Sequence, residues 1–501
     1  MRLSRLAAPC LLILLPCVAS ADDIGPEQAQ ALQQQLKDWL AGLVGPKLKL
    51  PDLPWRITGE RDHYKITWPI PGLDKPADDV AATASLRLLD GGRWSLEDVK
   101  GPPAANLTVT IPDTGDKITS GPLKIAFTLG SQDTHAVIDP SFATASTLHI
   151  DIGDFALTTD SAKEHQEQHI SRYLVDTSLR PTQDGRLDLA MDATMDGWKS
   201  ASQINGGAAM AIASQTMHAL GRIEGVSRER IALLLTAASA FFTALPDDAM
   251  EKGSKTKLPP PARAQLRLMV GSLQDMLGAV RLEETIEGLR VEVAGMGSVA
   301  IKRFMLAFGG EAPDGKLHAW VDIGLDNLDT PNLPPKIAAY LPRHFEVKPS
   351  LSGVRTADLS KLALDATDEG ANSDSLAPDV AALLSHGGAD VGIESLSFDL
   401  GPAKIEGTGR ITILSPDTWR GEAHVSATGL DELTTQARGN PDLQQALPVL
   451  IMLRGLAKPD GDRMIWDIAS DGPLVTVNGI DLSRLGGDKS KGKPLDQPPK
   501  R

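Results

Sequence analysis

Apolar and polar residues alternate in short runs along most of the chain, and a period of two marks half-buried β-strands. The clearest case is Leu187 to Met195. Leu187, Leu189, Met191, Ala193 and Met195 share one face, while Asp188, Ala190, Asp192 and Thr194 share the other. Tyr64 to Trp68, Ala84 to Leu89, Leu107 to Ile111, Leu123 to Leu129 and Leu148 to Ile152 also read as strands. Asp-Gly, Gly-Pro and Pro-Gly pairs punctuate them, which is the texture of an antiparallel meander.

Three long hairpins recur with irregular spacing. The first joins His169–Arg180 to Arg186–Thr194 through Gln183-Asp184-Gly185. The second joins Ser298–Phe308 to Lys316–Leu325 through Pro313-Asp314-Gly315, and the third joins Ala403–Leu414 to Gly421–Thr428 through Ser415-Pro416-Asp417. The last two end alike, at Gly324-Leu325-Asp326-Asn327-Leu328 and Gly429-Leu430-Asp431-Glu432-Leu433. Irregular spacing favours related hairpins in a large sheet over a solenoid.

Helical spacing appears in four places. Leu32, Leu36, Trp39, Leu40 and Leu43 predict a helix from Pro26 to about Val44, stopped by Gly45-Pro46. Ile231, Leu234, Leu235, Ala238, Phe241, Phe242 and Leu245 form one stripe; Leu266, Met269, Leu273, Met276, Leu277 and Val280 form another. A polar, Pro-rich stretch, Pro246 to Pro261, joins these two into an expected antiparallel helical hairpin. Packing of this pair on the sheet is the plainer reading; a cover contacting lipid is the sharper one. Pro441 to Leu456 predicts the fourth helix, followed by strands Met464–Ile468 and Leu474–Val477 and a tight Asn478-Gly479 turn into Ile480–Leu482.

The fold expected is therefore α+β: a long, curved antiparallel meander with an inserted helical hairpin and short flanking helices. Its divisions are a signal peptide (1–21), an N-terminal helix with a β region (22–205), a helical insertion (206–283), a C-terminal β region with helices (284–485) and a disordered tail (486–501).

Composition narrows the function. A net charge of −15 over 501 residues argues against nucleic acid or an anionic bilayer as main partner, because phosphate binding needs clustered Lys and Arg. Hydrophobic content of 42% is too rich for a wholly disordered chain. Met1 to Ala21 reads as an export signal: Arg2 and Arg5 lead, Leu11–Leu15 are apolar, and Ala19-Ser20-Ala21 offers a cleavage site. Both cysteines, Cys10 and Cys17, fall inside it, so the processed chain has no disulfide. Leu14-Leu15-Pro16-Cys17 loosely imitates a lipobox, but Pro16 replaces the small residue required before a lipidated cysteine. A periplasmic or secreted protein is expected, and chelators and reductants are expected to leave its melting unchanged.

No catalytic motif withstands inspection. His165-Gln166-Glu167-Gln168-His169 lacks the Glu that follows the first His in a zincin, and on a strand its imidazoles lie ~13 Å apart. Asp365 to Gly370 begins like a calcium loop but has Leu376 at the twelfth position, so it reads as an acidic linker. Gly487–Lys493 resembles a P-loop followed by Pro494 instead of Ser or Thr, and His386-Gly387-Gly388 has no nucleophile elbow after it. Asp151, Asp188, Asp192, Asp322 and Asp467 read as an outward face that discourages edge aggregation. Neither metal ligands nor cofactor-binding residues are expected.

The stretch from about Ile393 to Leu485 resembles the end of an uncharacterised family of exported proteobacterial proteins. Thr428-Gly429-Leu430-Asp431, Lys458-Pro459-Asp460-Gly461 and Val475-Thr476-Val477-Asn478-Gly479 carry the likeness. More distantly the architecture is similar to AsmA-like long-sheet envelope proteins with an apolar interior. That second resemblance implies lipid handling. The expected function is non-enzymatic: an envelope protein that binds or shields a lipid or other amphiphile in an apolar concavity, with Leu235, Phe241, Phe242, Leu273 and Leu277 as contacts. The alternative is an envelope scaffold without a small-molecule ligand.

Overall fold

The computed structural model describes residues 24–34, 56–69, 81–111, 121–139, 144–204, 207–245, 258–274, 276–333, 341–368, 373–385, 388–415, 418–439 and 447–482. The signal-like segment, most of the first predicted helix, residues 246–257 of the Pro-rich linker, His386-Gly387 and the basic tail lie outside them. The chain forms two compact units. One comprises 1–312 with 327–334 and 360–372, and the other comprises 313–326 with 335–359 and 373–501. Both are mostly antiparallel β-sheet with some helices.

In the first unit, helix α1 (described over 26–34) packs Ala29 and Leu32 on an apolar core. That core is built from β1 (Arg56–Glu60), β2 (His63–Pro69), β3 (Ala81–Leu88), β4 (Trp94–Lys100) and β7 (Ser131–Asp139). Ile66, Leu86 and Ile138 are fully buried there. β5 (Ala104–Ile111) and β6 (Gly121–Thr128) form a hairpin that pairs with β8 (Thr144–Asp160). From β7 the ladder runs through β8, β9 (Glu164–Pro181), β10 (Leu187–Asp196), β13 (Thr216–Val226), β14 (Ala279–Val293) and β15 (Gly297–Glu311). Shorter β11 (Lys199–Ile204) and β12 (Ala209–Ala213) bridge β9 to β14.

The β9–β10 hairpin has the predicted turn. Thr182 donates its hydroxyl to Asp184, and Gly185 takes a φ of +82° that L-residues rarely adopt. The strands are much longer than the apolar runs that announced them, because their ends carry polar residues that pair through backbone alone.

Between β13 and β14 stand α2 (Arg228–Ala244) and α3 (Pro260–Leu273), packed against each other. The Ser227 side chain accepts from the Arg230 N–H and caps α2, and Pro260 and Pro261 open α3. The helices occupy only part of the 206–283 span, since β12 and β13 precede them. The second stripe is also shorter than read from sequence. α3 ends at Leu273, so Leu277 lies in the connection and Val280 in β14.

The second unit is a meander of β16 (Lys316–Asp329), β17 (Pro342–Arg355), β18 (Ala389–Leu400), β19 (Ala403–Ser415), β20 (Thr418–Thr428) and β22 (Arg463–Asp471). Short strands β21 (Lys458–Asp460), β23 (Leu474–Val477) and β24 (Ile480–Asp481) complete it. α4 (Thr356–Asp365) and α5 (Ser373–Ser385) lie between β17 and β18 in the chain, and α5 packs on β17 and β19. α6 (Leu430–Gly439) and α7 (Leu447–Leu456) pack on each other and enclose a small core with Ala403, Ala427, Trp466 and Val477.

Two expectations need correction here. The likeness between Gly324–Leu328 and Gly429–Leu433 is not structural: the first stays in β16, the second opens α6. Gly429, at φ +68°, breaks the strand, whereas nothing at Gly324 does. α6 has no counterpart in the expected elements, because its short amphipathic pattern follows directly on the third hairpin; of the predicted 441–456 helix, 447–456 is helical and 440–446 is not described.

Candidate amphiphile-binding face

Cross-strand register sorts the side chains into rows, and alternate rows point to opposite faces. In the second unit one row runs Leu325, Phe345, Phe398, Ile405, Ala427, Met464. The next row on that face runs Ile323, Val347, Leu396, Gly407, Val425, Trp466. The row between them belongs to the other face and reads Gly324, Glu346, Ser397, Glu406, Ser426, Ile465. The sheet thus has an apolar side and a largely polar side across six strands.

The apolar side is covered unevenly. Under α6 and α7, Ala427 and Trp466 are 2% and 6% exposed. Further along the same strands Val391 and Ile411, which are direct cross-strand partners, are 45% and 46% exposed, and neighbouring Ile393 is 40% exposed. Val321 is exposed as well. Exposed β-branched residues gathered on one face of a sheet form the kind of patch that soluble proteins reserve for binding.

The first unit repeats the arrangement. Ile152, Tyr173, Met195, Met217, Ile286 and Phe304 form one row, and Leu148, Thr177, Met191, Gly221, Leu282 and Phe308 another. The row between these two on the same face, Ile150 to Leu306, contains Glu284 as its one charged residue. Most of these side chains are half-buried, far from the closure seen beneath α1.

The helical hairpin is built differently from expectation. Its buried residues are small: Ala237 in α2, Ala262 and Ser272 in α3. Around them Ile231, Leu234, Leu266 and Met269 are half-buried, while other large apolar side chains stand toward solvent. Leu235 is 46% exposed and Leu273 52%, with Phe242 and Leu277 also exposed; Phe241 is half-buried and meets Phe242 edge to face at 5.6 Å. These five residues therefore do not converge on a closed core. The reading of the stripes as sheet-packed core fails for Leu235 and Leu273. The hairpin is tied to the sheet by backbone: Ser227 N–H donates to the Met276 oxygen at 2.9 Å and Gly278 N–H to the Glu224 oxygen at 2.8 Å. Asp188 accepts from the Gly225 N–H, which gives this strand aspartate a structural task.

On the polar side, histidines pair with carboxylates across strands. His149 meets Asp176, His344 meets Asp326 and His424 meets Asp467, each at 2.7 Å and each in direct register. Asp192 meets His218 at 2.9 Å. Asp151 accepts Arg172 through Nε and Nη2 at 3.0 and 2.7 Å, a hydrogen-bonded contact that holds its carboxyl below the usual range. Burial pushes Glu394 up, but Lys348 at 2.7 Å and His318 outweigh it and the net direction is down. His165 lies in β9 with His169 four residues further along the strand, and its contacts with Asp160 and Glu167 push its pKa up. The zincin-like spacing is thus a strand feature.

The signal for the apolar side was present in the sequence at Phe345, Val347, Val391, Ile393, Leu396 and Phe398, but a bulge in β18 between Ile393 and Leu396 shifts that strand's alternation out of phase. No protein-family model, curated protein or solved structure matches this chain.

Proposed function

We propose that this protein is a non-enzymatic carrier or shield for an amphiphile, whose acyl or other apolar part lies along the apolar side of the sheet. The observation that carries the reading is the exposed Val391–Ile411 pair, with Ile393 and Val321, on the predominantly apolar face of the sheet. Covering such a patch with hydrocarbon gains about 25 cal/mol per Å² of apolar surface removed from water. A sheet curved with this face inward would wrap a chain-like ligand, and the polar rows would remain in water. A scaffold whose sheet packs wholly on its own helices would bury these four residues, so their exposure favours the binder.

The signal-like Met1–Ala21 and the likeness to exported envelope proteins are consistent with action in the periplasm or outside the cell. The test is site-specific photo-crosslinking in the full-length protein expressed with its own N-terminus. A photoreactive residue at Val391 or Ile411 is expected to capture a lipid-soluble adduct, and one at Glu422 on the polar side is expected to capture none. Equal labelling at all three positions, or no adduct after incubation with phospholipid vesicles, would overturn the proposal.

A further inference from the structure

We infer that Asp133, His135 and His149 form a binding site for a divalent transition metal on the polar side of the first unit, with Asp176 as its outer carboxylate. His135 of β7 and His149 of β8 are direct cross-strand partners, and their rings stack with centroids 4.7 Å apart and planes 27° apart. One ligand atom from each of Asp133, His135 and His149 lies within 4.8 Å of the other two. Neutral imidazole with a carboxylate is the donor set that zinc, copper and nickel prefer over magnesium or calcium.

Three details go beyond simple proximity. His135 Nδ1 lies 3.5 Å from Asp133 Oδ1. That is too long for a normal hydrogen bond, but it is close to the edge of a tetrahedron with bonds of about 2.1 Å. His149 Nδ1 lies 2.7 Å from Asp176 Oδ1, the outer-sphere contact that fixes the tautomer of a metal-bound histidine and leaves Nε2 as the ligand. Asp133 and Asp151 are also paired directly across β7 and β8, a like-charge juxtaposition that costs stability unless neutralised. Arg172 neutralises Asp151 with two hydrogen bonds, and a cation held by Asp133 and the two histidines would neutralise the other.

The other histidine–carboxylate pairs serve as internal controls. His218 with Asp192, and His424 with Asp467, offer one imidazole and one carboxylate each, and neither belongs to a three-residue cluster among the described residues. The site is independent of the amphiphile proposal, because its residues belong to the first unit and none of them is among the exposed residues that carry that proposal.

The experiment is zinc titration of the tag-free, full-length protein by calorimetry, followed by the imidazole resonances of histidine in the same sample. Wild type is expected to bind one zinc in the micromolar range, with the His135 and His149 resonances shifting first. His135→Ala combined with His149→Ala is expected to abolish that site, and Asp176→Asn to weaken it by about 10–100-fold. His218→Ala should bind like wild type. Zinc affinity unchanged in the double variant, or no perturbation of His135 and His149 in wild type at millimolar zinc, would overturn the assignment; the second readout needs no variant to fold.

Discussion

The indole Nε1 of Trp466 donates to the Leu453 carbonyl oxygen at 2.9 Å, joining β22 to the last turn of α7. That carbonyl is among the four at a helix end that have no intrahelical partner. Asn478 completes the closure: its Nδ2 donates to the Leu456 and Ile465 oxygens at 2.8 and 2.9 Å, and its Oδ1 accepts from the Asp467 N–H. The Asn-Gly pair predicted to make a tight turn therefore also caps a helix. Trp466→Phe is expected to cost about 1 kcal/mol for the lost hydrogen bond, and Trp466→Ala about 3–5 kcal/mol with the cavity added. Urea unfolding of the two variants checks the difference.

Gly429 offers a sharper test of local geometry. A Cβ there would overlap the Pro402 carbonyl oxygen, and φ is already +68°. Gly429→Ala is expected to destabilise by more than about 3 kcal/mol, since backbone strain and overlap add. Gly439→Ala, at the end of α6 with open space around it and no positive φ, should fall within about 1 kcal/mol of wild type. Similar melting temperatures for both variants would contradict the turn.

Exposure in the helical hairpin sets the third expectation. Leu235→Asp and Leu273→Asp place a charge where water already reaches, so stability should change by no more than about 1 kcal/mol. Ala237→Asp places a charge at a buried position of α2 and should destabilise the helix, seen as lost amide-exchange protection over 228–244. If Leu235 and Leu273 contact the amphiphile, copurified lipid falls in their variants while the melting temperature holds.

A pH series tests the polar side. The hydrogen bonds from Arg172 hold Asp151 below the ordinary carboxylate value of about 3.9. That stabilisation is complete above the ordinary value and disappears as pH falls through the lower folded value. Arg172→Gln should therefore be slightly less stable than wild type at neutral pH, since so exposed a pair is screened by solvent, with the gap closing in strong acid. His165 has the opposite sign: Asp160 and Glu167 raise it, so its contribution is full below the ordinary value of about 6.5 and fades as pH rises through the folded one. Denaturant midpoints from acid to mildly alkaline pH resolve both.

Local physics wrote much of this protein plainly. Strict alternation from Leu187 to Met195 determined a one-sided strand, because successive side chains on a pleat must point to opposite faces. The turn at Asp184-Gly185 and the helical stripe around Ile231–Leu245 were equally legible, since each depends on residues within a few positions of one another. Tertiary structure decided the rest. Whether a large apolar residue is core or surface depends on what crosses it: the helical hairpin buries Ala237, Ala262 and Ser272 and leaves Leu235 and Leu273 at the surface. His135 and His149 are separated along the chain and meet only through the β7–β8 register. A row of side chains across six strands exists only once every register is fixed, and a single-residue slip in any one strand would turn its apolar set toward water.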